Sequence, residues 1–174
     1  MRTLAPEILI PEDALARRVR EMAEEITRET PEDAEIAALV VLKGAFVFAA
    51  DLLRRIPRRV RIGFLETHKV PSRPGSADFA FTHPFRIEGS DLLLIEDILD
   101  TGVTLSHLLS RLRARRPSRL RTAILLDKKP RRTVDVHVDY VGFEIPDRWV
   151  VGYGLDDDET YRNLPYIGYV EEAS

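Results

Sequence analysis

Four short apolar runs, at 36–42, 60–65, 92–95 and 120–126, alternate along this chain with segments of helical periodicity. The first is too short for a free-standing helix and carries enough valine and isoleucine for a buried strand. Residues 12–29 place Leu15, Val19, Met22 and Ile26 at spacings of four, three and four, the apolar stripe of an amphipathic helix, with Pro11 suited to its first turn. A second helix puts Phe46, Ala49, Leu52, Leu53 and Ile56 on one side and ends at Pro57, and a third spans 105–116. Short apolar strands alternating with helices predict an α/β fold, a parallel sheet with helices on both faces. After Pro130 the tail turns extended, with strands expected near 138–143 and 149–153.

At 174 residues the chain fits one domain spanning 1–174. A hydrophobic fraction of 44% beside 32% charged residues matches neither disorder nor a membrane span. Residues 1–11 lack the basic and apolar blocks of a secretory signal, so a cytoplasmic location is expected. The absence of cysteine excludes disulfides, thiolate nucleophiles and sulfur-ligated zinc. A formal charge of -3 offers no footprint for a general nucleic-acid binder. Only Lys43, Lys69, Lys128 and Lys129 among 26 basic residues are lysine, which singles out 43 and 128 as places where a compact charge on a flexible stem is wanted.

Between the strands at 60–65 and 92–95 lie about 26 residues of weak periodicity, broken by Pro71, Pro74 and Pro84. So long a loop is usually functional or mobile, and a flap over 67–84 is expected; the plainer alternative is an edge hairpin.

The segment 92–104, LLLIEDILDTGVT, leads from buried-type residues into two adjacent carboxylates, then a glycine turn, then a helix. Glu96 and Asp97 fall at the carboxyl end of a strand, where α/β sheets meet their ligands. They call for a cation or sugar hydroxyls. The following helix aims its unpaired N–H groups at the turn, and Thr101 and Thr104 add hydroxyls around Gly102, which suits a phosphate monoester. No Gly-Lys-Ser/Thr ending makes this a Walker loop. Asp100 is equally readable as a helix cap or as a catalytic group.

The acid pair followed by Asp-Thr-Gly resembles the phosphoribosyl-pyrophosphate motif of type I phosphoribosyltransferases. VLKGAFVFAADL (41–52), LLDKKPRR (125–132) and VGFEIPDRWVVGYGLDDDETYRNL (141–164) are similar to the other blocks of the hypoxanthine-guanine members, in the same order. That resemblance implies the type I fold, with a long flexible loop and a small hood built from terminal segments. It also implies transfer of 5-phosphoribosyl from phosphoribosyl pyrophosphate to a 6-oxopurine, with Mg2+ as cofactor and a homo-oligomer, dimer or tetramer, as the working form.

By the same resemblance Glu96 and Asp97 hold the ribose hydroxyls and magnesium, and residues 100–104, including Thr101, Gly102, Val103 and Thr104, hold the 5-phosphate. Asp100 handles the proton on purine N7. Lys128 reads the 6-oxo group, Trp149 stacks on the base and Val150 meets the purine edge through its backbone. Asp156 lies near a second metal and the base. Arg162 and the Lys43-Gly44 loop, which in the family carries a non-proline cis peptide, take pyrophosphate. Asp157, Asp158 and Glu159 read as a solvated acidic turn. One departure stands out: Glu66-Thr67-His68-Lys69 occupies the place of the family's Ser-Tyr pair at the start of the mobile loop.

The rival from another class is a regulatory protein using the same fold to sense phosphoribosyl pyrophosphate while binding nucleic acid. Such a protein has no need of Asp100, Lys128 and Trp149 together. The arginines at 111, 113, 115, 116, 119 and 121 form the single candidate patch and read as a helix face plus a strand start. Among enzymes, preference for xanthine over hypoxanthine or guanine is not set by these residues.

Overall fold

A computed structural model describes residues 3–69 and 77–171. In chain order the elements are β1 (Thr3–Ile10), α1 (Glu12–Arg28), β2 (Glu35–Leu42), α2 (Phe46–Leu53), β3 (Arg59–Lys69), β4 (Ala77–Phe81), β5 (Asp91–Leu99), α3 (Val103–Arg113), β6 (Arg119–Asp127), a 3-10 turn (Lys129–Arg131), β7 (Tyr140–Glu144), β8 (Trp149–Val151) and β9 (Ile167–Glu171). Six strands form the main sheet in the order β4-β3-β2-β5-β6-β7, and β1-β9-β8 make a second, antiparallel sheet.

The main sheet is parallel except for β4. Its central strands are apolar at consecutive positions because both faces are covered. Along β2, Ile36, Ala38 and Val40 face a core shared with Leu15, Val19, Met22 and Ile26 of α1 and with Phe48 and Leu52 of α2. Ala37, Leu39 and Val41 face the opposite core, with Leu105, Leu108, Leu109 and Leu112 of α3. The period of two in each strand thus sorts side chains between two helical layers.

Strand order reverses between β2 and β5. The chain runs outward from β2 to β3 on one side and from β5 through β6 to β7 on the other. At such a reversal the connections leave in opposite directions and open a crevice at the carboxyl ends. The antiparallel sheet supplies the expected hood from terminal segments, including β1 and β9, whose short runs carry too little periodicity to stand out in the sequence.

Helix α3 starts at Val103, two residues before the expected Leu105, and ends at Arg113 rather than 116. Gly102, at φ 87, makes the entry by adopting a left-handed conformation, so no side chain is needed to cap it. The expected loop after residue 65 is in part strand: β3 continues to Lys69 and β4 returns antiparallel to it. Alternation at Phe79 and Phe81 accounts for this. The Arg111 guanidinium lies 5.6 Å from the Phe79 ring and that of Arg115 lies 4.5 Å from Phe81, fastening β4 to α3 and the turn after it. The centre of the expected flap, 70–76, lies outside the described residues. Arg121 departs from a surface patch altogether, at 2% exposure. Among the described residues no helix is long and apolar enough to cross a membrane.

Candidate active site

Pairing between β2 and β5 reaches Val40 opposite Ile95. Beyond it the chain passes through a cis peptide at Leu42–Lys43, one bond ahead of Lys43-Gly44, and Asp97 lies beside Gly44. Gly44 is required there by space: a Cβ on it would stand 1.6 Å from Asp97 Oδ2. Gly154, at φ 106, approaches Gly44 from the hood side, since its Cβ would stand 2.2 Å from the Gly44 carbonyl oxygen. Two glycines from distant blocks therefore let the loop after β2, the acid pair and the hood turn meet.

Glu96 is 9% exposed, and its Oε2 is buried without a hydrogen-bond partner. Burial, reinforced by the neighbouring Asp97 charge, pushes its carboxyl up to about 8. Asp97 is pushed up to about 6, again chiefly by burial, although it accepts a hydrogen bond from the Ile98 N–H at 2.9 Å and feels the Arg162 charge. Neighbouring carboxyls driven toward their neutral forms, one with an orphaned oxygen, fit a divalent cation or sugar hydroxyls. Among the described residues no third acidic or histidine ligand converges on them. Magnesium commonly takes one or two carboxylates and completes its shell with water and substrate phosphates.

The register of β5 against β6 sets the next pair. Leu99 lies opposite Asp127, so Asp100 and Lys128 leave adjacent strands side by side, and the Lys128 N–H donates to the Leu99 carbonyl at 2.9 Å. Lys128 is 6% exposed; burial lowers its affinity for a proton, opposed by the charges of Asp100 and Asp147. Asp100 is not the cap of α3, a role filled by Gly102. Its Oδ1 instead lies 3.1 Å from Arg131 Nε, a pairing by charge in which the N–H is not aimed at the oxygen. Arg131 also reaches Asp147 at 3.6 Å.

The turn at 100–104 is braced by a segment that sequence patterning left unassigned. Thr133 and Val134 both donate backbone N–H groups to the Thr101 carbonyl at 3.0 Å, and a Cβ on Gly102 would meet the Val134 carbonyl oxygen at 2.4 Å. The Val103 N–H lies 3.4 Å from Thr101 Oγ1. The first turn of α3, including Thr104, therefore presents its N–H groups from a fixed position.

A cavity of about 210 Å³ is lined by Asp97, Ile98, Asp100, Lys128, Trp149, Val150, Leu155 and Asp156. Trp149 is 48% exposed, the behaviour of a ring presented to a site, while Val150 is buried against β9. The hollow between Glu35, Arg61 and Arg86, at about 580 Å³, lies at the amino end of the sheet, whereas another of about 570 Å³ is lined by Phe46 and Asp51 of α2 with Tyr153 and Arg162 of the hood. Arg162 lies 2.9 Å from Asp156 Oδ1, donates to the Gly154 carbonyl at 2.8 Å and keeps its Nε buried without an acceptor. Lys43 and Arg162 meet at a shared partner, Glu159, which is thus part of the site and not solely a solvated turn.

Residues of three separated sequence blocks thus line one cavity: Asp97 and Asp100 at the end of β5 and just after it, Lys128 after β6, and Trp149, Val150 and Asp156 from the hood, while a fourth block adds Lys43 and Gly44 beside Asp97 and Glu159. Residues 9–158 match the model of the phosphoribosyl transferase domain family. The chain is 41% identical over 169 residues to a hypoxanthine-guanine phosphoribosyltransferase of Aquifex aeolicus, covering 95% of both. It is 40% identical over 170 residues to one of Bacillus subtilis, covering 96% of this chain and 94% of that relative. A solved hypoxanthine-guanine phosphoribosyltransferase of Bacillus anthracis superposes with a TM-score of 0.90 at 40% identity, over 98% of this chain and all of the other. By fold, site geometry and relatedness, the chain belongs to the hypoxanthine-guanine phosphoribosyltransferase family.

Proposed function

We propose that this protein transfers the 5-phosphoribosyl group of phosphoribosyl pyrophosphate to N9 of hypoxanthine or guanine, giving IMP or GMP and pyrophosphate, a step of purine salvage. The observation that carries this reading is the cavity joining Asp100, Lys128 and Trp149 beside the buried acid pair.

Glu96 and Asp97 bind the ribose hydroxyls and hold Mg2+, which when bound offsets the charge of the pyrophosphate and of the buried carboxylates. The 5-phosphate rests on Thr101 to Thr104, where a helix start and threonine hydroxyls supply donors. Trp149 covers one face of the purine, and Val150 limits its edge. The buried Lys128 ammonium donates to the 6-oxo oxygen and stabilises the charge that collects there as N7 loses its proton. Asp100, next to Lys128, accepts that proton while N9 attacks the anomeric carbon; a weak base suffices because bonding at N9 acidifies N7. Arg162 and the Lys43-Gly44 loop receive the pyrophosphate, to which the guanidinium is geometrically matched, and Asp156 orients Arg162 at the base edge.

The working form is a homo-oligomer, dimer or tetramer. Ile62 and Phe64 share with Val60 the sheet face on which α1 and α2 pack, and these two side chains, with Phe46 at the start of α2, remain exposed large apolar groups.

A substrate panel tests the proposal. Hypoxanthine and guanine, with phosphoribosyl pyrophosphate and magnesium, are expected to yield nucleotide. Adenine, lacking the 6-oxo acceptor, is expected to be poor, and Lys128→Ala should weaken 6-oxopurine use far more than pyrophosphate binding. Adenine turnover equal to that of hypoxanthine would reject the assigned pocket.

A further inference from the structure

Three charged groups converge beside the loop that follows β2. Lys43 Nζ lies 2.9 Å from Glu159 Oε2, and the same oxygen lies 3.3 Å from Arg162 Nη2. The hydrogen bond from Lys43 holds the Glu159 carboxyl below the usual carboxylate range, so it is an anion under ordinary conditions.

The backbone aims it there. Asp158 and Glu159 have φ values of 51 and 61, a left-handed pair rarely adopted by residues with a Cβ. The turn is held by the Glu159 N–H donating to Asp156 Oδ2 at 2.9 Å and by the Thr160 hydroxyl donating to the Asp157 carbonyl at 2.5 Å. Asp156 also pairs with Arg162, so the turn, its carboxylate and one of its cations form a connected unit. An isolated surface ion pair needs no such backbone arrangement.

Carboxylate and phosphate oxygens compete for the same guanidinium and ammonium donors. We infer that Glu159 is a built-in competitor for the diphosphate group: its carboxylate bridges Lys43 and Arg162, must leave both cations before diphosphate engages them, and returns to them as pyrophosphate departs. The inference rests on the reading of Lys43 and Arg162 as diphosphate ligands. Its exposure is suited to the role, because solvated ion pairs are weak and exchange readily, whereas a buried bridge would hold the cations against substrate. Glu159 is on this reading a positioning residue that lowers affinity for diphosphate and aids release of product.

Inhibition constants for pyrophosphate and for IMP, measured on the full-length protein with magnesium, test it. Glu159→Gln is expected to lower the pyrophosphate constant by roughly twofold to fivefold, the scale of exposed ion pairs, and to leave the IMP constant unchanged. Asp158→Asn removes the same charge one residue away, at a position not bonded to Lys43, and should have a smaller effect. An unchanged or raised pyrophosphate constant in Glu159→Gln, or equal tightening in Asp158→Asn, overturns the inference. Arg162→Gln separates the two levels of the argument. If it leaves pyrophosphate inhibition intact, the diphosphate assignment itself fails; if it weakens inhibition while Glu159→Gln changes nothing, only the competitor role falls.

Discussion

Strand β5 carries acidic groups at both ends, and the two ends are finished in opposite ways. At the amino end Asp91 is paired at 2.8 Å with Arg121, whose guanidinium also donates to Thr30 Oγ1 and Tyr140 Oη. Tyr140 passes the chain on to Glu29 at 2.5 Å, and Glu29 pairs with Arg119 at 3.2 Å. At the carboxyl end Asp97 is packed against Gly44, and Glu96 Oε2 is buried with no hydrogen-bond partner. Burial makes an unpaired charge costly, so the first end meets its carboxylate with a cation from within, although Asp91 Oδ1 and Arg121 Nε keep no hydrogen-bond partner, and the second is left to be completed by ligands. Stability and binding thus reside at opposite ends of one strand.

The largest expected effects break that contrast directly. Asp100→Asn, at the open end, should leave the melting temperature nearly unchanged and lower turnover by roughly 100- to 10,000-fold, the usual cost of losing a general base. Steady-state kinetics beside a thermal melt measure both; near-normal turnover would remove Asp100 from the chemistry. Arg121→Met, at the closed end, should do the reverse. Leaving the Asp91 carboxylate without its cation is expected to cost about 3–5 kcal/mol of stability in a denaturant titration, with turnover per folded molecule preserved. Adding Asp91→Leu should recover much of that loss. If it recovers none, the network matters for its geometry and not for its charge.

A smaller effect sharpens the comparison through pH. Folding raises the Glu96 carboxyl from 4.5 to about 8 and that of Asp97 from 3.8 to about 6, so the folded state binds more protons than the unfolded one between these limits. Stability contributed by these groups is present at low pH and is lost as pH rises toward 8. Magnesium with phosphoribosyl pyrophosphate should therefore raise the melting temperature more at pH 8 than at pH 5. Glu96→Gln should stabilise the ligand-free protein at pH 8 and reduce the ligand-induced rise. A ligand response that does not vary with pH in the wild type would deny the acid pair its cation-binding role.

The smallest expected signal comes from Trp149. It is the one tryptophan of the chain, and its exposure beside Lys128 predicts a change in intrinsic fluorescence on titration with IMP or GMP. A silent ring, with binding established by calorimetry, would remove it from the base platform.

Much of this arrangement was legible in the chain because it depends on local order. Continuous apolar runs such as 36–42 required a sheet covered on both faces, and the stripe at Leu15, Val19, Met22 and Ile26 required a helix against it. The acid pair, the glycine turn and the helix after it are consecutive, so their mutual placement follows from one strand and one helix start. The edge strand β4 was less visible, since its alternating Phe79 and Phe81 gain their meaning from Arg111 on α3 and Arg115 just past its end, about thirty residues later.

Tertiary structure alone decided the rest. That Gly44 and Gly154 meet, that Thr133 and Val134 brace the phosphate turn, that Arg121 is buried and not displayed, and that Glu159 bridges Lys43 and Arg162 are all contacts between segments whose proximity no periodicity encodes. The physical reason is the difference between pattern and partner. A side chain's polarity and spacing dictate which face of its element it occupies, but the energy of a charge or a missing Cβ depends on what the fold brings opposite to it.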